Sequence, residues 1–103
     1  AGIEGVNYRI TVAPEARADL FRLNAFLAGQ SEAAARRAMD AIDAGLRSLC
    51  EMPDRAPERS PGLRTLPIRF GQSGYVVQFR VRDDTVLIAR IHHMREDRPA
   101  ADA

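Results

Sequence analysis

Apolar and polar positions along the chain first follow the period of a β-strand and then that of an α-helix. Residues 6–12 alternate between apolar and polar side chains, which is typical of a strand with one buried face. Pro14 and Glu15 follow, and both residue types favour the first turn of a helix. From Ala16 to Leu27 the apolar residues recur with helical spacing, and Gly29 is expected to end this helix.

A second helix is predicted directly after the first. Ser31 is a suitable N-cap, Glu32 lies in the first turn, and apolar residues keep a helical period to about Glu51, before Pro53. Because only a couple of residues join the two helices, we expect them to form an antiparallel hairpin.

The second half of the chain predicts strands. Residues 53–62 are rich in proline and charge and are expected to form a surface loop. Three alternating segments follow, at residues 66–70, 75–82 and 85–92, with turns at residues 71–74 and 83–84. Pro67 lies within the first segment, which must therefore be an edge strand, be bulged or begin there.

This order of elements predicts an α+β fold. It consists of an N-terminal strand, an antiparallel helical hairpin and a three-stranded antiparallel meander, with the helices packed on one face of a mostly antiparallel sheet. A length of 103 residues suits a single domain spanning residues 1–103. We expect residues 1–5 and 98–103 to be flexible.

Composition and charge narrow the class of protein. With 46% apolar and 28% charged residues the chain reads as globular, and no apolar run approaches the roughly 20 residues of a membrane helix. The N-terminus does not resemble a signal peptide, and the single Cys50 favours a reducing compartment, so we expect a cytoplasmic protein without membrane contact. All 15 basic side chains are arginine, yet the net charge is only +1, so polyanion binding would require the fold to segregate charge.

His92 and His93 are adjacent at the end of the last predicted strand, where neighbouring side chains point to opposite faces. We therefore do not expect them to bind one metal ion together, and no other pattern predicts a metal or a cofactor. One of them could act as a general acid or base, because histidine titrates near neutrality. The alternative is that one is packed in the core and the other is solvated.

Several arginines lie on or near the predicted meander. Alternation suggests that Arg80, Arg82 and Arg90 share one face with Val86 and Ile88, opposite the apolar face of Tyr75, Val77 and Phe79. Arg69 belongs to the preceding strand, and Arg95 follows the last one. Guanidinium groups on one face suit the recognition of phosphate or carboxylate, although a solvated outer face is an equal alternative.

The chain resembles the RelE/ParE superfamily of toxins over residues 6–98. Three blocks carry the resemblance, together with the order of the elements: residues 8–16, residues 74–81 and residues 88–97. The resemblance implies a toxin of a bacterial type II toxin–antitoxin pair, held silent in a hetero-oligomer by a cognate antitoxin that lies over the groove between helices and sheet.

The two branches of the superfamily imply different activities. The RelE-like branch cuts mRNA in the ribosome. Here that activity would use Arg69, Arg80, Arg95 and His92 or His93, and of these Arg69 and Arg95 match basic positions of the branch. Val76, however, stands where that branch carries an arginine, Pro67 stands where it often carries a basic residue, and no Tyr follows Tyr75.

The ParE-like branch implies binding to DNA gyrase without a catalytic site. We expect Arg80, Arg82, Arg90, His93 and Arg95 to contact that target. Two alternatives remain at this point, a ribosome-dependent mRNA endonuclease and a member that only binds its antitoxin.

Overall fold

The computed structural model describes residues 7–95, which form five strands, two α-helices and a short 3₁₀ helix. The elements in chain order are β1 (Arg9–Val12), α1 (Pro14–Ala28), α2 (Glu32–Ser48), the 3₁₀ helix (Pro53–Arg55), β2 (Glu58–Ser60), β3 (Leu63–Phe70), β4 (Ser73–Arg82) and β5 (Thr85–His93). The strands form one sheet in the order β1-β5-β4-β3-β2. Strand β1 pairs parallel with β5, and the other pairs are antiparallel. The predicted α+β architecture is confirmed.

The meander has four strands, and not the three that the sequence predicted. Residues 53–62, expected to form an irregular loop, contain the 3₁₀ helix and β2, and both Pro53 and Ala56 are buried. Hydrogen bonds from β3 hold this segment in place: Arg64 donates to the carbonyls of Asp54 and Ala56, at 3.2 and 2.6 Å, and the Thr65 N–H donates to the carbonyl of Pro57 at 3.0 Å. The missed strand is short, and proline and charge mask its pattern.

Pro67 lies within β3, opposite Val76 of β4. Thr65 uses its N–H on the side away from β4, and alternation places the nitrogen of Pro67 on that same outer side. Strand β2 has already ended there, so the missing N–H removes no hydrogen bond between the paired strands. The sequence left an edge, a bulge or a strand start open at Pro67. Strand β3 lies between β4 and β2 in the sheet, but its outer side is unpaired at Pro67, because β2 pairs only with Leu63 and Arg64.

The two helices begin where their sequence signals predict. Pro14 opens α1, and the Ser31 hydroxyl accepts a hydrogen bond from the Ala34 N–H at 3.1 Å at the start of α2. Helix α2 ends at Ser48, before the predicted Glu51. Beyond it the N–H groups of Leu49 and Cys50 donate to the carbonyls of Leu46 and Arg47, three residues earlier, so the chain continues in tighter turns.

The core lies between the helical hairpin and one face of the sheet. Phe79, Ile88 and Ile91 are fully buried on the sheet side, and Ile42 of α2 is buried opposite them. A buried side chain of this size contributes about 1.5–3 kcal/mol relative to an exposed one. Gly45 permits the close approach of α2 to β3, because a Cβ there would overlap the side chain of Ile68.

The β4–β5 register corrects the predicted face of two residues. The turn at residues 83–84 pairs Arg82 with Thr85, so that Val81 lies opposite Val86 and Phe79 opposite Ile88. Val86 and Ile88 therefore face the helices, and the prediction that they share a face with Arg80 was wrong. Beside this two-residue turn the even-numbered residues of β4 pair with odd-numbered residues of β5, so even-numbered residues of the two strands face opposite sides of the sheet there. Alternation within a single strand does not reveal this.

A β-bulge then shifts the register of β5. Gln78 pairs with Arg90 while Phe79 pairs with Ile88, which leaves Ala89 as the extra residue. Because of this insertion Ile88 and Ile91 both face the helices, although they are separated by two residues and not one. The bulge also brings His92 opposite Val76 and His93 opposite Tyr75.

Candidate functional site: two grooves at opposite ends of the sheet

The predicted site residues lie on β3, β4 and β5 and just beyond β5, but the structure does not gather them into one site. Arg80 and Arg82 lie at the turn between β4 and β5, whereas His93 and Arg95 lie at the other end of these strands. At each end the described residues line a groove. We name them the turn groove and the α1 groove.

The α1 groove has a volume of about 610 Å³ and lies between α1 and the ends of β3, β4 and β5. Its floor and rim combine aliphatic, aromatic and cationic side chains: Arg22, Leu23, Phe26, Leu27, Phe70, Tyr75, His93 and Arg95. Helical spacing places Arg22, Leu23, Phe26 and Leu27 on neighbouring turns of α1. Phe26 is 66% exposed, so most of its ring is open to solvent beside the leucines of the groove.

Aromatic contacts order the sheet side of the α1 groove. The ring of His93 lies edge-on to Tyr75, with ring centres 5.4 Å apart, and Phe70 lies 6.1 Å from Tyr75 on the other side. Gly74 allows β3 and the chain after β5 to come close, since a Cβ there would overlap the Ile68 carbonyl of β3 and lie 3.0 Å from the Met94 side chain. The Met94 N–H donates to the Gly74 carbonyl at 3.0 Å, and the Arg95 N–H donates to Nδ1 of His93 at 3.1 Å. These bonds position the backbone of Arg95 beside His93.

Asp19 of α1 forms a buried ionic contact beside this groove. Its carboxylate accepts two hydrogen bonds from Arg90, at 2.9 and 3.0 Å, and one from the Ile91 N–H at 2.8 Å. Arg22 approaches the same carboxylate at 3.4 Å. Burial alone would raise the pKa of Asp19, but the bonds from Arg90, Ile91 and Arg22 outweigh it and hold the pKa below its ordinary value.

The Asp19 contact changes the interpretation of Arg90. The sequence predicted that Arg90 shares an open face with Arg80 and Arg82. Arg90 does pair with Gln78, which lies on that face. Its guanidinium, however, is bound to Asp19 of α1, and only 25% of its side chain is exposed. Sequence reasoning missed Asp19 altogether. Its signal was present, because Asp19 follows Ala16 by three residues and precedes Leu23 by four, and therefore lies on the buried stripe of the helix.

The turn groove has a volume of about 560 Å³ and lies beside the β4–β5 turn. Arg80, Arg82 and Leu87 line it together with both aspartates of the turn and Gly62. Asp83 adopts a left-handed backbone conformation with φ 55°, as a tight turn requires. Asp84 lies 3.8 Å from Arg9, so one of the two negative charges is shared with β1.

The remaining candidates lie apart from both grooves. His92 is only 2% exposed and lies opposite Val76 on the face of the sheet away from the helices. Arg69 is exposed near the end of β3, opposite Gly74. His92 and His93 thus point to opposite faces, as alternation predicted. The five residues considered for RNA cleavage, Arg69, Arg80, His92, His93 and Arg95, are divided between two faces and two ends of the sheet.

Residues 7–95 contain no group of three or more His, Cys, Asp or Glu side chains arranged to hold a metal ion. Over the same residues, no helix is both long enough and apolar enough to span a membrane. Cys50 is a free, partly buried cysteine whose carbonyl accepts a hydrogen bond from the Tyr8 N–H at 2.7 Å.

Curated proteins of similar sequence are toxins. Toxin RelE3 of Caulobacter vibrioides is 39% identical over 86% of this chain and 97% of its own length. Toxin RelE1 of the same organism is 34% identical over 90% of this chain and 100% of its own length.

Solved structures of the same fold include a chain of the chromosomal ParDE toxin–antitoxin system from P. aeruginosa, with a TM-score of 0.73 and 22% identity over 86% of this chain and 98% of that one. A chain of the RelBE2 toxin–antitoxin complex from Mycobacterium tuberculosis has a TM-score of 0.63 and 25% identity, covering 89% of this chain and 97% of that one. The family model described as the ParE toxin of the type II toxin–antitoxin system parDE matches residues 10–98. The chain therefore belongs to the ParE/RelE superfamily of type II toxin–antitoxin toxins.

Proposed function

We propose that this toxin acts in the ParE manner, by binding DNA gyrase, and that a cognate antitoxin silences it by covering the α1 groove in a hetero-oligomer. The observation that carries the proposal is the separation of the groups that RNA cleavage would need. Both the target and the antitoxin act in the cytoplasm, where we also place this protein.

Cleavage of RNA requires one group to activate the 2′-hydroxyl, a second to protonate the leaving oxygen, and positive charge at the phosphate, all around one bond. His93 lies in the α1 groove, His92 is buried on the other face, and Arg80 is at the opposite end of the strands. Arginine stabilises charge well but is a poor proton donor, because the guanidinium stays protonated in proteins. A target that is bound and not cut requires no such convergence.

We assign target contact to two pairs of residues, Arg80 with Arg82 and His93 with Arg95. Each pair lines a groove and combines positive or titratable groups with apolar surface, as protein–protein contacts do. Arg90 was also expected to contact the target. Its bond to Asp19 supports instead a positioning role, in which it holds the strand that leads to His93.

The alternative function is a RelE-like, ribosome-dependent mRNA endonuclease. The observation in its favour is that both curated relatives bear the name RelE. In that case Arg69 and Arg95 would bind phosphate, and His93 would be the acid, because it lines a groove whereas His92 is buried.

One preparation of the protein tests both functions. Purified toxin is added to a gyrase supercoiling and DNA-cleavage assay and, in parallel, to a translating extract in which mRNA ends are mapped. Gyrase inhibition with intact message supports the proposal, and codon-periodic mRNA cuts with unaffected gyrase would replace it with the alternative. The variant Arg37→Ala, changed on the exposed side of α2 and outside both grooves, should give the same result as the unchanged chain in both assays.

A further inference from the structure

The imidazole of His93 accepts a hydrogen bond from the chain that follows it. Its Nδ1 accepts from the Arg95 N–H at 3.1 Å, across two residues. A ring nitrogen accepts a hydrogen bond only while it carries no proton, so this bond requires neutral His93 with its proton on Nε2. The position of the Arg95 backbone is therefore tied to the protonation state of His93.

Met94, between these two residues, is held by a bond that does not titrate. Its N–H donates to the Gly74 carbonyl at 3.0 Å. The His93 ring itself is held against the sheet, edge-on to Tyr75 with ring centres 5.4 Å apart. A change of charge at Nδ1 would thus leave the end of β5 and Met94 anchored, and its effect on the backbone would begin at Arg95.

Protonation of His93 would act on Arg95 in two ways. The imidazolium carries an N–H at Nδ1, so two donors would face each other where one hydrogen bond had been. The new positive charge would also lie in the groove that the Arg95 guanidinium lines, and like charges repel. Since the side chain of His93 is only partly buried and that of Arg95 is exposed, water can reach both groups.

Charged and titratable groups approach His93 from several elements. The α1 groove brings to it Arg22 from α1, Tyr75 from β4 and Arg95 after β5, whereas β3 contributes Phe70. Glu96 and Asp97 follow in sequence, outside the described residues. Asp19 lies beside the groove, and its pKa is below the ordinary value of 3.8, so its charge does not change between about pH 5 and 8, where histidine titrates.

We propose that His93 is a proton-sensitive positioning residue: neutral His93 holds Arg95 in place for contact with the target, and protonated His93 releases it. The proposal rests on the proposed function in taking Arg95 as a target contact. It adds a regulator of that contact, the pH of the surroundings, and it gives His93 a role that acts through Arg95. Target binding is expected to weaken as the pH falls through the titration of His93.

Two substitutions separate this role from simple packing of His93 on Tyr75. Asn in place of His93 does not titrate, and its side-chain carbonyl can accept from the N–H two residues later, as in an Asx turn. Phe in place of His93 keeps a ring beside Tyr75 and has no acceptor. The proposal requires His93→Asn to keep Arg95 in place and His93→Phe to lose it, whereas packing alone requires the reverse.

The test follows the backbone amides of the full chain by NMR as the pH falls from about 8 to about 5. The exchange of the Arg95 N–H with water is divided by that of the Met94 N–H, which cancels the base catalysis common to both. We expect this ratio to rise about threefold to tenfold as the ring signals of His93 report its protonation. Nitrogen-15 correlation of the ring should place the proton of neutral His93 on Nε2.

The variants define the outcome. In His93→Asn the ratio should stay low at every pH, in His93→Phe it should stay high, and Arg37→Gln should behave as the unchanged chain does. The proposal is overturned by a ratio that does not respond to pH in the unchanged chain, by a proton on Nδ1 of neutral His93, or by a pH response that persists in His93→Asn. A low ratio in His93→Phe would also overturn it.

Gyrase inhibition tests whether the release of Arg95 reaches the target. The toxin concentration for half inhibition is measured at the lowest and highest pH at which gyrase is active. The value for the unchanged chain is divided by that for His93→Asn, which cancels the pH dependence of gyrase itself. We expect this quotient to rise about threefold at the lower pH. A constant quotient while gyrase is inhibited would overturn the proposal.

The two arms fail separately. If the Arg95 amide responds to pH but gyrase is not inhibited at either pH, the proposed function falls and the control of Arg95 by His93 stands. If gyrase is inhibited but the amide does not respond, the control of Arg95 falls and the proposed function stands.

Discussion

Arg90 of β5 binds Asp19 of α1 through two hydrogen bonds of 2.9 and 3.0 Å, across 71 positions of sequence. The contact lies where β1 has ended and its place beside β5 is taken by α1. The Ile91 N–H, which has no β1 residue to pair with at this height, donates to the same carboxylate at 2.8 Å. The Asp19 carboxylate thus accepts the backbone hydrogen bond that a neighbouring strand would otherwise accept, and it joins α1 to β5 beside the α1 groove.

Asp19→Ala should destabilise the protein strongly. The substitution leaves Arg90 and the Ile91 N–H without their shared acceptor, and breaking a buried ionic contact by removing one partner costs about 3–5 kcal/mol. We expect a loss near the lower end of that range, because Arg90 retains some contact with water. Urea denaturation followed by circular dichroism measures the change in the free energy of unfolding.

Asp43→Ala is the matched control for Asp19→Ala. Asp43 pairs with Arg47 at 2.8 Å on the exposed surface of α2, where an ion pair contributes only about 0.5 kcal/mol. Equal losses for Asp19→Ala and Asp43→Ala would mean that the Asp19 contact stabilises the fold no more than a surface pair does.

The same carboxylate predicts how stability depends on pH. The pKa of Asp19 in the folded protein lies below its ordinary value of 3.8, so the unfolded chain takes up the proton first as pH falls. The contribution of Asp19 is therefore complete above that ordinary value and is lost as pH falls below it, through the folded pKa. Urea midpoints measured from neutral pH to pH 2 follow this loss.

Asp19→Asn isolates this part of the acid response. The variant should be less stable than the unchanged chain at neutral pH, and the gap between the two should narrow as pH falls below 3.8. A constant gap over the whole range would show that Asp19 has the same pKa in both states.

Gly45→Ala should destabilise the protein although alanine favours helices. The added Cβ would overlap Ile68 and push α2 away from β3, and overpacking of this kind costs about 1–3 kcal/mol, against a gain of about 1 kcal/mol in helix propensity. Combining it with Ile68→Val should recover part of the loss. Thermal unfolding of the single and double variants measures the effect.

Gly29→Ala is the corresponding control. A Cβ at Gly29 would meet only ordinary contacts at 3.6 Å, and its backbone is right-handed helical, so the variant should be neutral or more stable by about 0.4–1 kcal/mol. A similar loss at both glycines would contradict the close approach of α2 to β3.

Replacing Arg80 and Arg82 together by alanine should weaken gyrase inhibition without unfolding the protein. Both side chains line the turn groove, Arg82 is exposed, and a loss of about 1.4 kcal/mol in binding corresponds to about tenfold more toxin for half inhibition. The supercoiling assay measures that concentration, and circular dichroism checks the fold. Unchanged inhibition by the double variant would remove the turn groove from the target surface.

Much of the fold could be predicted because its signals are local. Pro14, Ser31 and the helical spacing of apolar residues mark the two helices, and the turn residues at 71–74 and 83–84 separate the last strands. Strand β2 was not predicted, because its position depends on hydrogen bonds from Arg64 and Thr65 to the carbonyls of Ala56 and Pro57, which a local pattern does not show. The candidate site could be predicted only as a set of residues on strands, without their grouping.

The pattern of residues by itself determined the order of β1, the two helices and β3 to β5, together with the opposite directions of His92 and His93, because each depends on neighbours close in sequence. Tertiary structure decided which residues share a groove. The two-residue turn and the bulge at Ala89 set the faces of β5, and the pairing of Arg90 with Asp19 removed one arginine from the open surface. Register and ion pairing join residues far apart in sequence, and alternation along a single strand carries no information about its partner.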